Sequence, residues 1–199
     1  MTKSESQTPL AGYPKSAELS NGTTITLKAM GATDKNALIK FAQNLPEEDL
    51  LFLTIDLTQE EAINGWLENI KNGSSTSLLA YADDELVGYA TVHRESAPWT
   101  RRIGEIRVNI APDLRSLGLG RLLISHIFDV CRKLELTKIL ARMTIEQKGA
   151  QAAFRKLGFI AEAILADFIV DHKGLTHDLV MMTYDVEGLS DQAGDVLKV

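Results

Sequence analysis

Residues 113–123 read DLRSLGLGRLL, with Arg115, Gly118, Gly120 and Arg121 crowded ahead of an apolar-periodic segment. Glycine inside a helix is about 1 kcal/mol worse than alanine, so two at a helix entry suggest a backbone that something else must approach closely. A strand, a loop of backbone N–H groups and a helix N-terminus make an anion site, because the first helical amides lack internal acceptors and the helix dipole favours negative charge there. Gly118 and Gly120 remove the β-carbons that would hold a phosphate off, and Arg115 and Arg121 can add charge from either side. The plainer alternative is that these glycines only make a turn. Two familiar phosphate loops do not fit: Gly-Lys-Ser/Thr is absent, and Leu123 stands where the dinucleotide pattern needs a third small residue.

The elements around this loop follow from the hydrophobic periods. TTITLKAM reads as a strand, and DKNALIKFAQNL places Ala37, Leu38, Phe41, Ala42 and Leu45 at helical spacing. TQEEAINGWLENI has Thr58 and Glu61 in capping-box spacing, then Ala62, Ile63, Trp66, Leu67 and Ile70 on one face. SLLAYA and ELVGYATVH are strand-like around a tight turn at Asp83 and Asp84. IGEIRVNI alternates Glu105, Arg107 and Asn109 on one side with Ile106, Val108 and Ile110 on the other. The helix after the glycines carries the stripe Leu119, Leu123, Ile127, Val130 and Leu134. TKILARMTI is a further strand, Ala150, Ala153, Phe154 and Leu157 mark a short helix, and Gly158-Phe159 suits its left-handed cap. Two long strands close the pattern. The order β-α-α-β-β-β-α-β-α-β-β implies an α/β protein of the mixed α+β kind, one mixed sheet flanked by helices and not a doubly wound parallel sheet.

A chain of 199 residues with 45% hydrophobic content suffices for one domain with a substantial core, expected over residues 21–187. Residues 1–20 read as a loose arm and 188–199 as a tail. The net charge of −6 argues against a nucleic-acid phosphate binder. The single cysteine, Cys131, excludes an internal disulfide and a cysteine-rich zinc site, and lies in an apolar helical pattern as a buried thiol. With no apolar signal region and no long apolar run, neither secretion nor membrane spanning is indicated, and a cytoplasmic protein is expected.

Arg115-Ser116-Leu117-Gly118-Leu119-Gly120 resembles the Arg/Gln-x-x-Gly-x-Gly/Ala pyrophosphate loop of the GNAT superfamily of N-acetyltransferases, and EQKGAQAAFRKLGF resembles its Asn-x-x-Ala-x-x-x-Tyr-x-x-x-Gly-Phe helix. With the element order, the resemblance covers most of residues 23–186. It implies acetyl-CoA as acyl donor, its pyrophosphate on the amides of Leu117, Gly118, Leu119, Gly120 and Arg121, and its pantetheine along the strand ending at Ile110. It implies that strands 103–110 and 137–145 splay apart around that arm. It implies an acetyltransferase acting by direct attack of a primary amine, of a small molecule or a protein, with a backbone N–H near Ile110 facing the oxyanion. Monomer or homodimer would fit, and no metal is called for.

In the same resemblance Glu105 is the candidate base, against a structural reading in which it pairs with Arg107 or Arg102. The departures are Gln147 at the signature asparagine and Phe154 at the signature tyrosine, which has no proton to give. Tyr184 or Tyr89 would then supply an acid, or none is needed. Because of Phe154 a non-catalytic acyl-CoA sensor or interaction module is the alternative. Elsewhere, His172 and His177 read as a solvated hairpin tip before a metal clasp, His126 as a boundary residue, and Trp99 as a packing anchor or part of an acceptor pocket.

Overall fold

The computed structural model describes residues 9–50, 53, 55–171 and 173–186. The strands are β1 (Lys15–Glu18), β2 (Thr24–Ala29), β3 (Ser75–Ala82), β4 (Glu85–Arg94), β5 (Ile103–Ile110), β6 (Lys138–Thr144), β7 (Ile160–Val170) and β8 (Thr176–Asp185). They form one sheet in the order β1-β2-β3-β4-β5-β6-β8-β7, in which β5 and β6 run parallel and the other neighbours are antiparallel. Helices α1 (Lys35–Gln43), α2 (Glu47–Leu50) and α3 (Glu60–Lys71) lie between β2 and β3, α4 (Leu119–Lys133) between β5 and β6, and α5 (Lys148–Lys156) between β6 and β7. This is the mixed sheet the element order implied, with β1 and α2 as additions.

Both sheet faces are covered, which is why the central strands read as near-continuous apolar runs. On one face the α4 stripe of Leu119, Leu123, Ile127 and Val130 packs with Phe154 of α5 on Leu78, Ala80, Val92, Ile106 and Ile139. On the other, Leu38 and Phe41 of α1 and Ile63 and Trp66 of α3 pack on Leu79 and Tyr89. Cys131 is buried, and its burial pushes the thiol up to about 12, which makes it an inert core residue.

Turn chemistry explains the boundaries. Asp83 and Asp84 both take positive φ, 45° and 66°, the geometry of a tight hairpin that matches strand twist. Gly158, at φ 93°, ends α5: its N–H donates to the Arg155 carbonyl at 3.0 Å and the Phe159 N–H to the Phe154 carbonyl at 3.1 Å, a Schellman arrangement.

Two local expectations are corrected. Lys15–Glu18, placed in a loose arm, pairs with β2 from Lys15↔Leu27 to Glu18↔Thr24, and Tyr13 beside it donates or accepts at His126 Nδ1 at 2.7 Å on α4. Thr58 does not cap α3: its N–H and hydroxyl both donate to Asp56 Oδ1, and the N-cap is Gln59 without a side-chain cap bond. The Asx turn at Asp56 holds Thr58 in the turn ahead of the helix, and Gln59 becomes the residue that enters it. Residues 1–8, the tail from 187 and His172 lie outside the described residues. Among the described residues no helix is long and apolar enough to cross a membrane.

Candidate active site

The sheet opens at its parallel pair. β5 and β6 are in register only at Ile103↔Lys138, Gly104↔Ile139 and Glu105↔Leu140, yet both strands continue, to Ile110 and Thr144. On its other side β5 stays paired to β4 as far as Gly88↔Ile110. The Ala111 N–H donates to the Val87 carbonyl at 2.8 Å, which makes Gly88/Ile110 a non-hydrogen-bonded pair. By alternation the N–H and C=O of Ile110 and Val108 turn away from β4 into the gap beside β6. The splay implied by the resemblance is present, and it presents main-chain donors and acceptors.

The glycine loop closes one end of this gap. Gly118 is the N-cap of α4 at φ 100°, and Ser116 is also left-handed at φ 65°. The first bond closing the helix runs from the Leu122 N–H to the Gly118 carbonyl at 3.0 Å, so the amides of Leu119, Gly120 and Arg121 belong to the turn that a helix leaves without internal acceptors. No heavy atom lies within 4 Å of where a Gly118 Cβ would stand. Open space, a left-handed N-cap and aligned amides fit a phosphate group. Leu117 is anchored from behind, its carbonyl accepting from the Ser20 N–H and hydroxyl. Arg121 is exposed. Arg115 is already engaged: its guanidinium is ion-paired to Asp49 of α2 and reaches the Ile110 carbonyl at 3.4 and 3.3 Å from Nε and Nη2.

A cleft of about 660 Å³ extends from the gap across the face that carries α3. Ala141, Met143, Thr144, Gln147, Ala150 and Phe154 line it along β6 and α5; Arg142 of β6 joins Glu105, Arg107 and Asn109 of β5, and Tyr89 and His93 of β4 with Trp66 and Asn69 of α3 line the rest. Gln147 caps α5 and its Oε1 accepts the Thr144 N–H at 2.9 Å, which leaves its amide nitrogen for a ligand. Phe154 is buried, edge-on to Phe159 at 4.9 Å. The replacement of the signature tyrosine thus makes a hydrophobic wall.

Glu105 faces the cleft, as strand alternation required. Its Oε1 accepts from Arg107 Nε and Nη2 at 3.2 and 3.0 Å, and its Oε2 from Arg142 Nη2 at 2.7 Å. A carboxylate has about four lone-pair positions, so three donors leave roughly one for an amine or water. The Arg107 partner was legible in the strand. Arg142 was not, because only the parallel register Glu105↔Leu140 sets it beside Arg107, two residues further along each strand. Opposite Glu105 on β4 lies His93, its Nδ1 2.7 Å from the Ser75 hydroxyl. Burial, then the nearby Arg107 charge, pull its imidazole down to about 4, so it is neutral at physiological pH.

The two tyrosines part company. Tyr89 is buried in the cleft, its hydroxyl accepting from Asn109 Nδ2 at 2.9 Å, and burial pushes its phenol up, so it stays protonated. Tyr184 pairs with Ile139 and faces the opposite side of the sheet, stacked on Phe128 at 4.9 Å and on Phe159 at 5.5 Å. It does not line the cleft. Trp99, 86% exposed, does not line it either; the tryptophan that does is Trp66, whose indole N–H donates to Ser77 Oγ at 3.0 Å. His177 bridges Asp171 at 3.1 Å and Glu146 at 3.4 Å, which raises its pKa, Asp171 first. Among the described residues no group of three or more His, Cys, Asp or Glu could hold a metal ion.

Comparison with known proteins agrees with this geometry. Streptothricin acetyltransferase of Streptomyces lavendulae is 30% identical over 86 residues, 43% of this chain and 44% of that protein, so the chain spans under half the length of this curated relative. A Salmonella typhimurium protein solved with acetyl-CoA superposes with a TM-score of 0.71 at 20% identity, over 83% of this chain and 96% of that one. Spermidine N-acetyltransferase from Vibrio cholerae, solved with CoA and spermine, superposes at 0.69 with 19% identity, over 82% and 96%. At such identities the superpositions speak for the fold alone. The family model of the acetyltransferase (GNAT) family matches residues 37–159, from within α1, across both strands of the gap, to the turn that ends α5. The match takes in the glycine loop and more than half of the chain, and the protein is a member of the GNAT family of acetyltransferases.

Proposed function

We propose that this protein transfers the acetyl group of acetyl-CoA to a primary amine by direct attack within a ternary complex. The observation that carries this reading is the β5/β6 gap beside the Gly118 loop: main-chain groups of Val108 and Ile110 face a channel that ends at a left-handed helix N-terminus. Pyrophosphate would lie on the amides of Leu117 through Arg121, with Gln147 and Phe154 against the pantetheine. Arg115 joins once it exchanges Asp49 for phosphate.

In the reaction the amine nitrogen forms a C–N bond to the thioester carbonyl, the C–S bond breaks, and CoA leaves as its thiol. The ammonium loses its proton to Glu105, directly or through one water, at the lone-pair position that the arginines leave. A backbone N–H of β5 in the gap stabilises the oxyanion. Tyr89, which the fold keeps protonated inside the cleft, is the phenol placed to assist the leaving thiolate, in place of Tyr184, the catalytic tyrosine expected first from the sequence. Two carboxylate-bound guanidinium groups and a neutral imidazole in the cleft favour a catalytic centre over a passive acyl-CoA sensor. Amine-dependent release of thiol from acetyl-CoA tests the proposal; saturable binding without release for any amine would leave the sensor standing.

A further inference from the structure

We infer that the acceptor is a small amine that carries a carboxylate beside its amino group, in the manner of an apolar α-amino acid. This inference rests on the acetyl-transfer reading above and names the substrate of the same cleft.

The charge of the cleft floor carries it. Arg107 and Arg142 lie side by side on β5 and β6, with one carboxylate, Glu105, between them. Each guanidinium has five N–H donors, and Glu105 takes two from Arg107 and one from Arg142. Donors remain on both groups, and the cluster keeps one positive charge more than negative. His93 adds none, being neutral. Asp49 also lines the cleft but is no partner of this cluster: it pairs with Arg115 and is released when that arginine turns to phosphate. A polyamine would meet a floor of its own sign, whereas a carboxylate finds a bidentate partner.

The arrangement also fits a zwitterion. The carboxylate of Glu105 is within reach of the same guanidinium groups, so an ammonium beside a bound carboxylate falls at Glu105. Glu105 then serves as proton acceptor, while it aligns the two arginines before substrate arrives. Arg107 stands one residue before Val108, whose backbone faces the gap, so a ligand anchored there has its amine next to the acyl channel. Beside the charges the walls carry a run of apolar side chains, Ala62 and Trp66 on α3, Leu53 and Ile55 before it, and Phe168 and Val170 on β7, both more than half exposed, with polar Asn69 and Asn109 between. Exposed aromatic and aliphatic side chains at a cleft rim mark a surface that an apolar substituent covers.

The experiment is thiol release from acetyl-CoA by the purified full chain with leucine, methionine and phenylalanine. Each is run against its carboxamide and its decarboxylated amine, with spermidine as the polycation, and acetyl-CoA binding is followed in parallel by calorimetry. The carboxamide's amine is the weaker base and is more often neutral, so chemistry alone favours it and a preference for the acid reads recognition. We expect at least one free acid to exceed its carboxamide and its decarboxylated amine tenfold or more in kcat/KM. R142Q, which also removes a donor from Glu105, should lower turnover of both substrates but raise KM for the acid at least tenfold more than for its carboxamide, with acetyl-CoA affinity within twofold. A merely structural Arg142 would move both substrates together. Preference for spermidine or for the decarboxylated amines, equal use of acid and carboxamide, or no turnover of any free acid by protein that binds acetyl-CoA overturns the inference. Failure to bind acetyl-CoA at all overturns the acetyl-transfer reading beneath it.

Discussion

The Arg115 guanidinium holds the Asp49 carboxylate and, at the same time, the Ile110 carbonyl at the end of β5. One side chain therefore ties the phosphate loop to the edge of the acyl channel and to α2 at the mouth of the acceptor cleft. A carboxylate on this arginine occupies the place of an anionic ligand, and the two compete. Asp49→Asn is expected to tighten CoA binding three- to tenfold, and Arg115→Gln to weaken it about tenfold, with a shallower dependence on salt. Calorimetry at two ionic strengths checks both; unchanged affinity in each variant would separate Arg115 from the cofactor.

Gly118 answers whether its loop is a cradle or only a turn. Space for a Cβ is open, so the cost of a side chain comes from φ 100°, roughly 1–2 kcal/mol for an L-residue. Gly118→Val is expected to lower stability by about that amount while CoA affinity falls tenfold or more, because a branched side chain stands where phosphate approaches the amides. A fall in melting temperature with CoA affinity intact would return the glycines to a turn.

Gly88 lies behind the site. A Cβ there would meet the Asn109 carbonyl at 2.8 Å and Leu123 Cδ1 at 3.4 Å, so β4 and β5 must part beside Tyr89, which lines the cleft, and Ile110, whose main chain faces the gap. Gly88→Ala should cost about 1–3 kcal/mol by urea denaturation and lower turnover as well as stability. Wild-type stability in this variant would show that the strands yield without strain.

Glu105→Gln keeps two of the lone pairs that the arginines use but removes the proton acceptor. Turnover is expected to fall by about 10² or more, most at acidic pH, with acetyl-CoA affinity within twofold. A pH–rate profile identical to wild type would take Glu105 out of the base role.

His93 gives a stability signature of known sign. Its imidazole is held at about 4 in the fold against an ordinary value of 6.5, so between those values the unfolded chain binds more protons. The neutral-histidine contribution is therefore complete above pH 6.5 and is lost as pH falls toward 4, with a ceiling of about 3 kcal/mol. Subtracting the urea-derived stability of His93→Asn from that of wild type should leave this slope between pH 6.5 and 4. Parallel curves would contradict it.

Much of the site is written in short-range pattern. The glycines at a helix entry, the inward and outward alternation of residues 103–110 and the α4 stripe are each set within a few residues and match the structure, which adds the left-handed conformation of Gly118. What escapes a reading of the sequence depends on register. Arg142 lies 35 positions beyond Arg107 and joins it only through the parallel pairing of β5 and β6. Tyr184 reads as a site residue only while its face is unknown, and a strand position one residue away faces the other side. β1 has no hydrophobic run of its own and exists through pairing with β2. The carboxylate of Asp49, which governs Arg115, sits on a helix of four residues too short to show a period.

The most direct measurement is a calorimetric titration of the full chain with acetyl-CoA, beside CoA and a dinucleotide control. Saturable binding at one site per chain, selective for the two CoA ligands and lost or much weakened in Gly118→Val, is the predicted result. A folded sample that binds neither CoA ligand would contradict the account at its centre.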